Sequence, residues 1–458
     1  MLQKGSNKLI NAWAFYDWAN SVYSLVISTA VFPLFYDAIT KGKTVRFLWM
    51  DWDYPDTLYS YSLSFSFLIV AFISPILSAI ADYTGNKLKF MKFFCWLGGF
   101  SVISMYFFED VSTTWIGILC TILASIGFWS SIVFYNSYLP EVASPEQQDA
   151  ASAKGFIYGY IGSIILLLIS LGMILQPSFF GFDLSIPENI TANGSDKEIA
   201  AALETVKNAA SLKAMRISFV MVGLWWIGFA QITFKKLPNN VFNRKPEKYF
   251  IWKGFKELKK VSIELKNYPT LRNFLIAFFL LSVGVQTIIL LATIFGSSEL
   301  GLGTINLIVT VLLIQFVAIL GAYVFSNVSK KYGNFKAIKI TLFIWVLVCF
   351  SAFMLEKELP NVDLYFYALG GLLGMVLGAI QSLTRSTYSK LLPETKDHAT
   401  YFSFYDVTEK IAIVLGTFVF GFLIYLTDSM QWSVLSLALF FLASFIVLST
   451  LKSTKHVR

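Results

Sequence analysis

The chain has 458 residues, of which 56% are hydrophobic, 17% aromatic and 14% charged, with a formal net charge of +8. Soluble domains carry roughly 45–50% apolar and about 25% charged residues, so this composition excludes a water-soluble globule. The three cysteines, Cys95, Cys120 and Cys349, fall in apolar runs without CxxC spacing, which disfavours a disulfide framework and a thiolate metal site. Because the basic residues are spread over many loops and form no contiguous face, nucleic acid is not a predicted partner.

Apolar runs recur along the whole chain. A membrane-spanning helix needs about 20 predominantly apolar residues. Counting such runs predicts about twelve spans, numbered 1 to 12 in chain order: 13–37, 58–82, 90–108, 114–138, 154–175, 215–234, 271–292, 304–326, 336–355, 363–388, 402–426 and 431–451. The first run carries Asp17 and Asn20 and lacks a small-residue cleavage site, so we interpret it as a span and not as a signal peptide. We predict an all-α, polytopic membrane protein.

Basic residues are divided unequally between the loops of the two sides. With a cytoplasmic N-terminus, 22 Lys and Arg residues fall in cytoplasmic segments and 7 on the opposite side. The positive-inside rule therefore places both termini in the cytoplasm and the polar loop 176–214 outside, and we expect a bacterial inner membrane. This loop contains the sequons at Asn189 and Asn193, which matter only where glycosylation machinery exists.

A basic segment, 235–270, divides the predicted spans into two sets of six. Apolar residues recur in it at helical spacing, at Ile251, Phe255, Leu258 and Leu265. It is either an interfacial helix bound to anionic lipids of the inner leaflet or a solvated linker helix. The predicted domains are thus an N-terminal six-helix bundle, 1–234, this linker, and a C-terminal six-helix bundle, 271–458.

Two short motifs repeat at the spacing of the bundles. The Gly-Asn pairs 85–86 and 333–334, after spans 2 and 8, are 248 residues apart. Tyr-Leu-Pro-Glu at 138–141 and Leu-Leu-Pro-Glu at 391–394, after spans 4 and 10, are 253 residues apart. Parallel six-span repeats of this kind indicate two related bundles with a substrate site between them, near the bilayer midplane.

The loop after span 2 resembles a known family motif. The segment SAIADYTGNKLK, 78–89, is similar to the loop between spans 2 and 3 of the major facilitator superfamily, which has a glycine, an aspartate, a second glycine and basic residues. Ser78 replaces the first glycine, and Tyr83 and Asn86 stand where basic residues are usual.

Four further stretches resemble the vacuolar effluxer-like branch of that superfamily, also called the unknown major facilitator family. They are AWAFYDWANSVYSLVISTAVFPLFY (12–36), FYNSYLPE (134–141) with GFIYGYIGS (155–163), QSLTRSTYSKLLPE (381–394), and FYDVTEK (404–410) with Gly416. The resemblance covers the chain from residue 12 to about 421. It implies a membrane transporter, and it suggests amino-acid efflux from the vacuole for fungal relatives.

The same resemblance implies a cytoplasmic gate at Asp82, Gly85 and Lys87. Asp82 ends span 2, where the helix dipole repels a carboxylate, so it should have a positive partner. The resemblance suggests the beginning of span 11, near 401–404, and Lys87 is a nearby cation. Closure of this latch should favour the outward-open state.

Few charged groups fall inside the spans, and each is costly in a bilayer unless paired or hydrated. The candidates for a substrate or ion pathway are Asp17, Asn20, Tyr135, Asn136, Gln286, Arg385, Asp406, Glu409 and Lys410. Static ion pairs, gating, and contact with substrate or proton are three alternative roles for them. We expect Asp17 to pair with Arg385 or Lys410 across the bundles and to separate during transport, and we favour an inter-helix hydrogen bond for Gln286.

We predict a secondary active transporter of a small molecule of unknown identity, with a facilitative uniporter or channel-like protein as the alternative. A proton is the hypothetical coupling ion, bound by Asp17 or Glu409 and opposed by a nearby cation. An enzyme would need a nucleophile, base or metal constellation at one depth. The two histidines of this chain, His398 and His456, lie outside the predicted spans. We therefore predict no catalytic site, cofactor or metal site.

Overall fold

The computed structural model describes residues 2–186, 195–239, 256, 259–261 and 263–451. Over these residues the chain forms 12 helices that are long and apolar enough to cross a membrane. Spans 1 to 6 are Asn7–Thr40, Pro55–Thr84, Lys87–Phe107, Val111–Val142, Pro145–Leu175 and Asp196–Phe234. Spans 7 to 12 are Pro269–Glu299, Ile305–Tyr332, Asn334–Phe353, Val362–Leu391, His398–Thr427 and Met430–Ser449. The predicted all-α, polytopic fold is confirmed.

Spans 1 and 7, which occupy equivalent places in the two bundles, contain π-helix. Span 1 consists of α-helix Asn7–Val22, π-helix Tyr23–Val31 and α-helix Phe32–Thr40. Span 7 is α-helical over Pro269–Ile294 and ends in a π-helical segment, Phe295–Glu299. Segments with this wider turn are uncommon and occur frequently at functional sites.

Shorter elements complete several spans and loops. Spans 3, 4 and 5 contain α-helices Lys87–Ser104, Thr114–Ser137 with Leu139–Val142, and Gln148–Leu175, together with the 3-10 turns Met105–Phe107, Val111–Thr113 and Pro145–Gln147. Separate 3-10 turns are Pro177–Phe180 and Leu265–Asn267. A two-stranded antiparallel hairpin, Val45–Phe47 and Met50–Trp52, lies between spans 1 and 2.

Span 6 begins much earlier than its apolar run. Its helix has 39 residues, so it is about 58 Å long and extends beyond a bilayer core of about 30 Å. Residues 196–214, which we expected in the outer loop, are therefore helical. The reason is local, because Glu198 Oε2 accepts the backbone N–H of Ser195 at 2.7 Å in a capping box. Hydropathy marks only the part of a helix that contacts lipid.

Two sequence expectations lie outside the described residues. The sequons at Asn189 and Asn193 fall in the undescribed part of 176–214. Most of the apolar stripe expected for the linker, at Ile251, Phe255 and Leu258, is also undescribed. Its last member, Leu265, is buried in the 3-10 turn before span 7.

The buried hydrophobic core divides into two clusters. The first is built almost entirely from spans 1 to 6 and includes Trp13, Tyr135 and Trp226. The second is built from spans 7 to 12 and includes Trp345 and Phe441. Each bundle thus buries its own apolar side chains, and the buried charged groups described below lie mainly where the bundles meet.

Candidate functional site

A buried ion pair joins the two bundles. Arg385 Nη1 of span 10 lies 3.2 Å from Asp17 Oδ2 of span 1, and their side chains are 5% and 9% exposed. The sequence left two candidate cations for Asp17, Arg385 and Lys410, and in the structure Arg385 is the one in contact with Asp17. A pair removed from water needs further hydrogen bonds to offset the loss of hydration.

Further hydrogen bonds to this pair come from the N-terminal bundle. Tyr135 donates its hydroxyl to Asp17 Oδ2 at 2.7 Å, and Asn136 Oδ1 accepts from Arg385 Nη1 at 3.3 Å. Arg385 Nε donates to Ser152 Oγ at 2.9 Å, and its Nη2 donates to the Ser152 carbonyl at 2.8 Å. Sequence reasoning named four of these five residues and missed Ser152.

Aromatic rings surround the guanidinium group. Its central carbon lies 4.1 Å from the ring centroid of Phe156, 5.1 Å from that of Trp13 and 5.4 Å from that of Tyr135. A desolvated cation–π contact is worth about 2 kcal/mol or more. A Cβ atom at Gly155 would meet the Asp17 carboxylate and would lie 2.9 Å from Arg385 Nη2, so only glycine leaves room for the pair. The ion pair is held in an aromatic, closely packed setting.

A second charged cluster lies in span 11, which begins at His398, so that Glu409 is about 16 Å along the helix. Lys410 Nζ lies 3.2 Å from Asp406 Oδ1 and 3.6 Å from Glu409 Oε2. Gln286 of span 7 donates to Glu409 Oε1 at 2.7 Å, which is the inter-helix hydrogen bond we favoured. We call Asp406, Glu409 and Lys410 the span 11 cluster.

The span 11 cluster also contacts the other bundle. Lys410 Nζ lies 3.4 Å from the ring centroid of Trp129 in span 4. Lys410 is therefore bound within its own cluster and by an aromatic ring, and it is not the partner of Asp17. Sequence reasoning missed Trp129, because an aromatic residue in an apolar span carries no signal of a cation above its face.

Asp82 contacts the beginning of span 11 at the face where spans 2, 4, 8 and 10 end, which we call the predicted cytoplasmic face. Its carboxylate accepts the backbone N–H groups of Ala399 at 3.2 Å and Thr400 at 2.8 Å. It also accepts the Thr400 hydroxyl at 2.9 Å. The first N–H groups of a helix lack intrahelical partners and carry partial positive charge, so they are the positive partner expected for Asp82. The contact lies just before the expected region 401–404.

The other two gate candidates have different roles. Lys87 forms an ion pair with Glu141, whose Oε1 also lies 3.1 Å from His398 Nδ1. Lys87 therefore binds Glu141 at the end of span 4. Gly85 has φ 73° and ends span 2 in the left-handed region, where glycine carries no Cβ penalty.

A matching contact at the same face was not foreseen from the sequence. Asp149 of span 5 accepts from Ser329 Oγ and Asn334 Nδ2, both at 2.7 Å, and lies 2.7 Å from Lys390 Nζ. Lys390 also donates to Asn334 Oδ1 at 3.0 Å. Asn334 belongs to the repeated Gly-Asn pair, and this repeat is the signal that could have located the site. The two contacts differ in one respect: Asp149 lies at the beginning of its helix, span 5, whereas Asp82 lies at the end of its helix, span 2.

Among the described contacts, Asn20 makes no hydrogen bond to the Asp17–Arg385 pair or to the span 11 cluster. It is 1% exposed, and its Nδ2 has no hydrogen-bond partner among the described residues. Its Oδ1 accepts a long hydrogen bond of 3.4 Å from Ser21. Further from the predicted cytoplasmic face, Tyr160 of span 5 donates to Gln381 Oε1 of span 10 at 2.9 Å, which adds a cross-bundle contact that the sequence did not predict.

The sequence is similar to known membrane proteins over nearly its whole length. The model of the family described as "Vacuole effluxer Atg22 like" matches residues 5–187 and 198–458. An uncharacterized MFS-type transporter, YxiO of Bacillus subtilis (strain 168), is 32% identical, covering 98% of this chain and 96% of that protein. Autophagy-related protein 22 of Coccidioides immitis (strain RS) is 22% identical, covering 91% of this chain and 82% of that protein.

Solved structures of major facilitator proteins share the fold. FucP in the outward conformation aligns with a TM-score of 0.68 at 13% identity, covering 98% of both chains. A bacterial homologue of the iron transporter ferroportin in the outward-facing state aligns with a TM-score of 0.60 at 13% identity, covering 96% of this chain and 98% of that chain. At such identities the likeness shows the fold alone, and it confirms the predicted arrangement of two six-helix bundles.

Proposed function

The chain belongs to the Atg22-like vacuole effluxer family, and we propose that it is a secondary active transporter that moves a small solute by alternating access. Membership of this family shows that the chain is a multi-pass membrane transporter. We further propose efflux of amino acids or related metabolites across a bacterial inner membrane, with both termini cytoplasmic.

The observation that carries this proposal is the buried contact between Asp17 and Arg385. Together with the contacts of Asp82 and Asp149, it joins the two bundles through polar groups towards one face. Such contacts can be exchanged for water or substrate as the face opens, whereas an apolar seam would have to expose hydrophobic surface. The outward conformation described for FucP, whose fold this chain shares, agrees with a closed predicted cytoplasmic face.

The same pair supports the proposed substrate class. An amino acid carries an ammonium and a carboxylate group, which are complementary to Asp17 and Arg385 respectively. The flanking rings of Trp13 and Phe156 offer apolar contact to a side chain. We propose that the substrate inserts between Asp17 and Arg385 and replaces their direct contact, so that binding loosens the connection between the bundles.

Counterflow separates a carrier from the channel-like alternative. Purified protein is reconstituted into liposomes loaded with an unlabelled amino-acid mixture, and the uptake of single radiolabelled amino acids is measured. A carrier should accumulate a subset of them transiently and saturably, and Arg385→Gln should reduce the initial rate at least tenfold. The exposed variant Glu358→Gln should transport normally. Conductance without counterflow would support the channel-like alternative, and uptake of no amino acid would overturn the substrate class.

A further inference from the structure

The span 11 cluster contains more acid than base. Two carboxylates, Asp406 and Glu409, share one ammonium group, Lys410. The side chains of Asp406 and Lys410 are only 6% and 3% exposed. Of the two cations of span 10, Arg385 is bound to Asp17 and Lys390 to Asp149. If every group were ionised, this part of the membrane interior would carry a surplus negative charge, which is costly in a low-dielectric medium.

One oxygen atom of the cluster lacks a partner. Asp406 Oδ1 faces Lys410 at 3.2 Å, whereas Asp406 Oδ2 is buried without a hydrogen-bond partner among the described residues. An ionised carboxylate buried in this way loses the hydration of that oxygen with no compensation. A proton on this carboxyl group would remove its charge and lower that cost.

We propose that the span 11 cluster is the ion-coupling site of the transporter and holds one proton, shared by Asp406 and Glu409, in the conformation described here. The proposal rests on the proposed function, because a bound proton is a coupling ion only in a protein that moves a solute. The step is a simple association: a carboxylate takes a proton from a hydronium ion, releases a water molecule and becomes a neutral carboxyl group. Glu409, with 18% of its side chain exposed, is the least buried member of the cluster.

Among the described ion pairs, Asp406 and Glu409 have no cationic partner other than Lys410. On span 11 itself, Tyr405 donates its hydroxyl to Thr384 Oγ1 of span 10 at 3.3 Å. On the neighbouring helices, Gln286 of span 7 binds Glu409, Trp129 of span 4 faces Lys410, Arg385 of span 10 is bound to Asp17, and Asp82 of span 2 is bound to the start of span 11. Arg272, at the start of span 7, is exposed and donates to Asn273, and span 12 contains no charged residue. The surplus charge therefore has to be neutralised by a bound ion.

The geometry favours a proton over a metal ion. The described residues contain no group of three or more His, Cys, Asp or Glu side chains that could hold a metal. The ammonium of Lys410 already occupies the place between the two carboxylates that a metal would take. A hard cation such as Mg²⁺ or Ca²⁺ needs about six or more oxygen ligands. A proton needs only one oxygen, and Asp406 Oδ2 provides it.

The cluster can transmit its protonation to the contact between the bundles. Lys410 lies 3.4 Å from the ring centroid of Trp129, which belongs to the N-terminal bundle, while the carboxylates belong to the C-terminal bundle. Loss of the proton would increase the attraction of Asp406 and Glu409 for Lys410 and weaken its hold on Trp129. Proton occupancy would thereby bias the connection between spans 4 and 11.

Infrared difference spectroscopy of the purified full-length protein tests the site without a substrate. The wild type should show the carbonyl band of a protonated carboxyl group at neutral pH, shifted in heavy water and lost at alkaline pH. Either Asp406→Asn or Glu409→Gln should abolish this band, because the remaining carboxylate is then neutralised by Lys410. Lys410→Gln should increase the band about twofold, since both carboxyl groups would then be protonated.

The controls decide whether the band belongs to the cluster. Asp17→Asn and the exposed variant Glu358→Gln should retain it. A band that survives both Asp406→Asn and Glu409→Gln, or that disappears in Asp17→Asn alone, would overturn the assignment. If one cluster variant fails to fold, the other decides, because each removes the surplus charge.

Two further measurements test which ion is bound, and whether the proton site and the transport function stand or fall separately. Replacing K⁺ by Na⁺ should leave the band unchanged, whereas its loss in Na⁺ would show that Na⁺ displaces the proton and would reject the proton as the coupling ion. A band in a protein that shows no counterflow would refute transport and leave the proton site standing. Counterflow in a wild-type protein without the band would refute the proton site and leave transport standing.

Discussion

At the scale of single residues, Asp17 and Arg385 depend on one another. Truncating one member of a buried pair leaves an uncompensated charge and costs about 3–5 kcal/mol. We expect Asp17→Asn and Arg385→Gln each to lower the unfolding temperature and the transport rate strongly, and the double variant to be less affected than the sum. The coupling energy should be about 0.5–3 kcal/mol, measured by thermal unfolding in detergent and by counterflow.

Lys410 provides the matched comparison for this double-mutant cycle. It is bound to Asp406 and makes no ion pair with Asp17 among the described contacts. Asp17→Asn and Lys410→Gln should therefore add within about 0.5 kcal/mol. Additivity of Asp17→Asn with Arg385→Gln would reject the contact. If folded yield falls while transport per folded molecule is unchanged, the pair is a static support and does not exchange during transport.

Gly155 gives a second prediction at this scale. A Cβ atom there would lie 2.8 Å from the Tyr135 hydroxyl and 2.9 Å from Arg385 Nη2, so Gly155→Ala has to displace the ion pair. Overpacking of this kind costs about 1–3 kcal/mol. The matched control is Gly228→Ala in span 6, where a Cβ atom meets nothing within 4 Å. Thermal unfolding should show a lower midpoint for Gly155→Ala alone, and equal midpoints would contradict the close approach.

The sequence indicated the charged members of the site better than their neutral partners. Asp17 and Arg385 stand out because charge is rare inside apolar spans. Ser152 does not stand out, because it is one of many small residues and its bond to Arg385 joins positions 233 residues apart. Lys410 was a candidate partner for Asp17 because the two residues lie at a similar depth in the membrane. Which of two residues at the same depth faces Asp17 depends on how the helices are rotated about their axes, and the sequence does not give that rotation.

At the scale of elements, two helix beginnings hold the predicted cytoplasmic face together. Asp82 binds the start of span 11, and Asp149 near the start of span 5 binds residues of spans 8, 9 and 10. Asp82→Asn and Asp149→Asn keep the side-chain shape but remove the charge, which weakens charge-assisted hydrogen bonds to the opposite bundle. We expect each variant to open this face more often.

A buried reporter cysteine measures that opening. Ser389→Cys lies near the end of span 10 and is 4% exposed, so it should react slowly with a water-soluble maleimide while the face is closed. In a background without the three native cysteines, each gate variant should raise the reaction rate several-fold. Glu109→Gln is the matched control, because Glu109 is paired with Arg216 at the opposite end of the spans. Equal rates in all variants would show that these carboxylates do not hold the face closed.

The existence of the helices was predictable from apolar runs, and their ends and irregularities were not. Span 11 begins at His398 and not at 402, because polar residues at its start bind Asp82 and Glu141 in place of lipid. Span 6 begins at Asp196 because a helix can continue into water when it is capped. The π-helical segments of spans 1 and 7 have the same apolar composition as α-helix, so periodicity alone does not distinguish them.

At the scale of the whole molecule, two separate apolar cores are joined by polar contacts. This division follows from the sequence repeat, since each six-span half carries enough apolar surface to form its own core. Contacts between the halves then come from pairs of residues that no local pattern links, such as Asp149 and Lys390. The arrangement favours rigid-body movement of the bundles, because water can solvate the polar groups that separate where the bundles meet.

The orientation of the molecule in its membrane is the last prediction. The 22 to 7 division of basic residues places the start of span 6 outside and the end of span 12 in the cytoplasm. Single cysteines at the exposed positions Ser195 and Thr450 test this in a background without the native cysteines. In sealed cells an impermeant maleimide should label Ser195→Cys and not Thr450→Cys, and membrane permeabilisation should make both react. Because a chain with twelve spans has both ends on the same side of the membrane, labelling of Thr450→Cys alone would show that the whole molecule has the opposite orientation. The face that holds Asp82 and Asp149 would then lie outside.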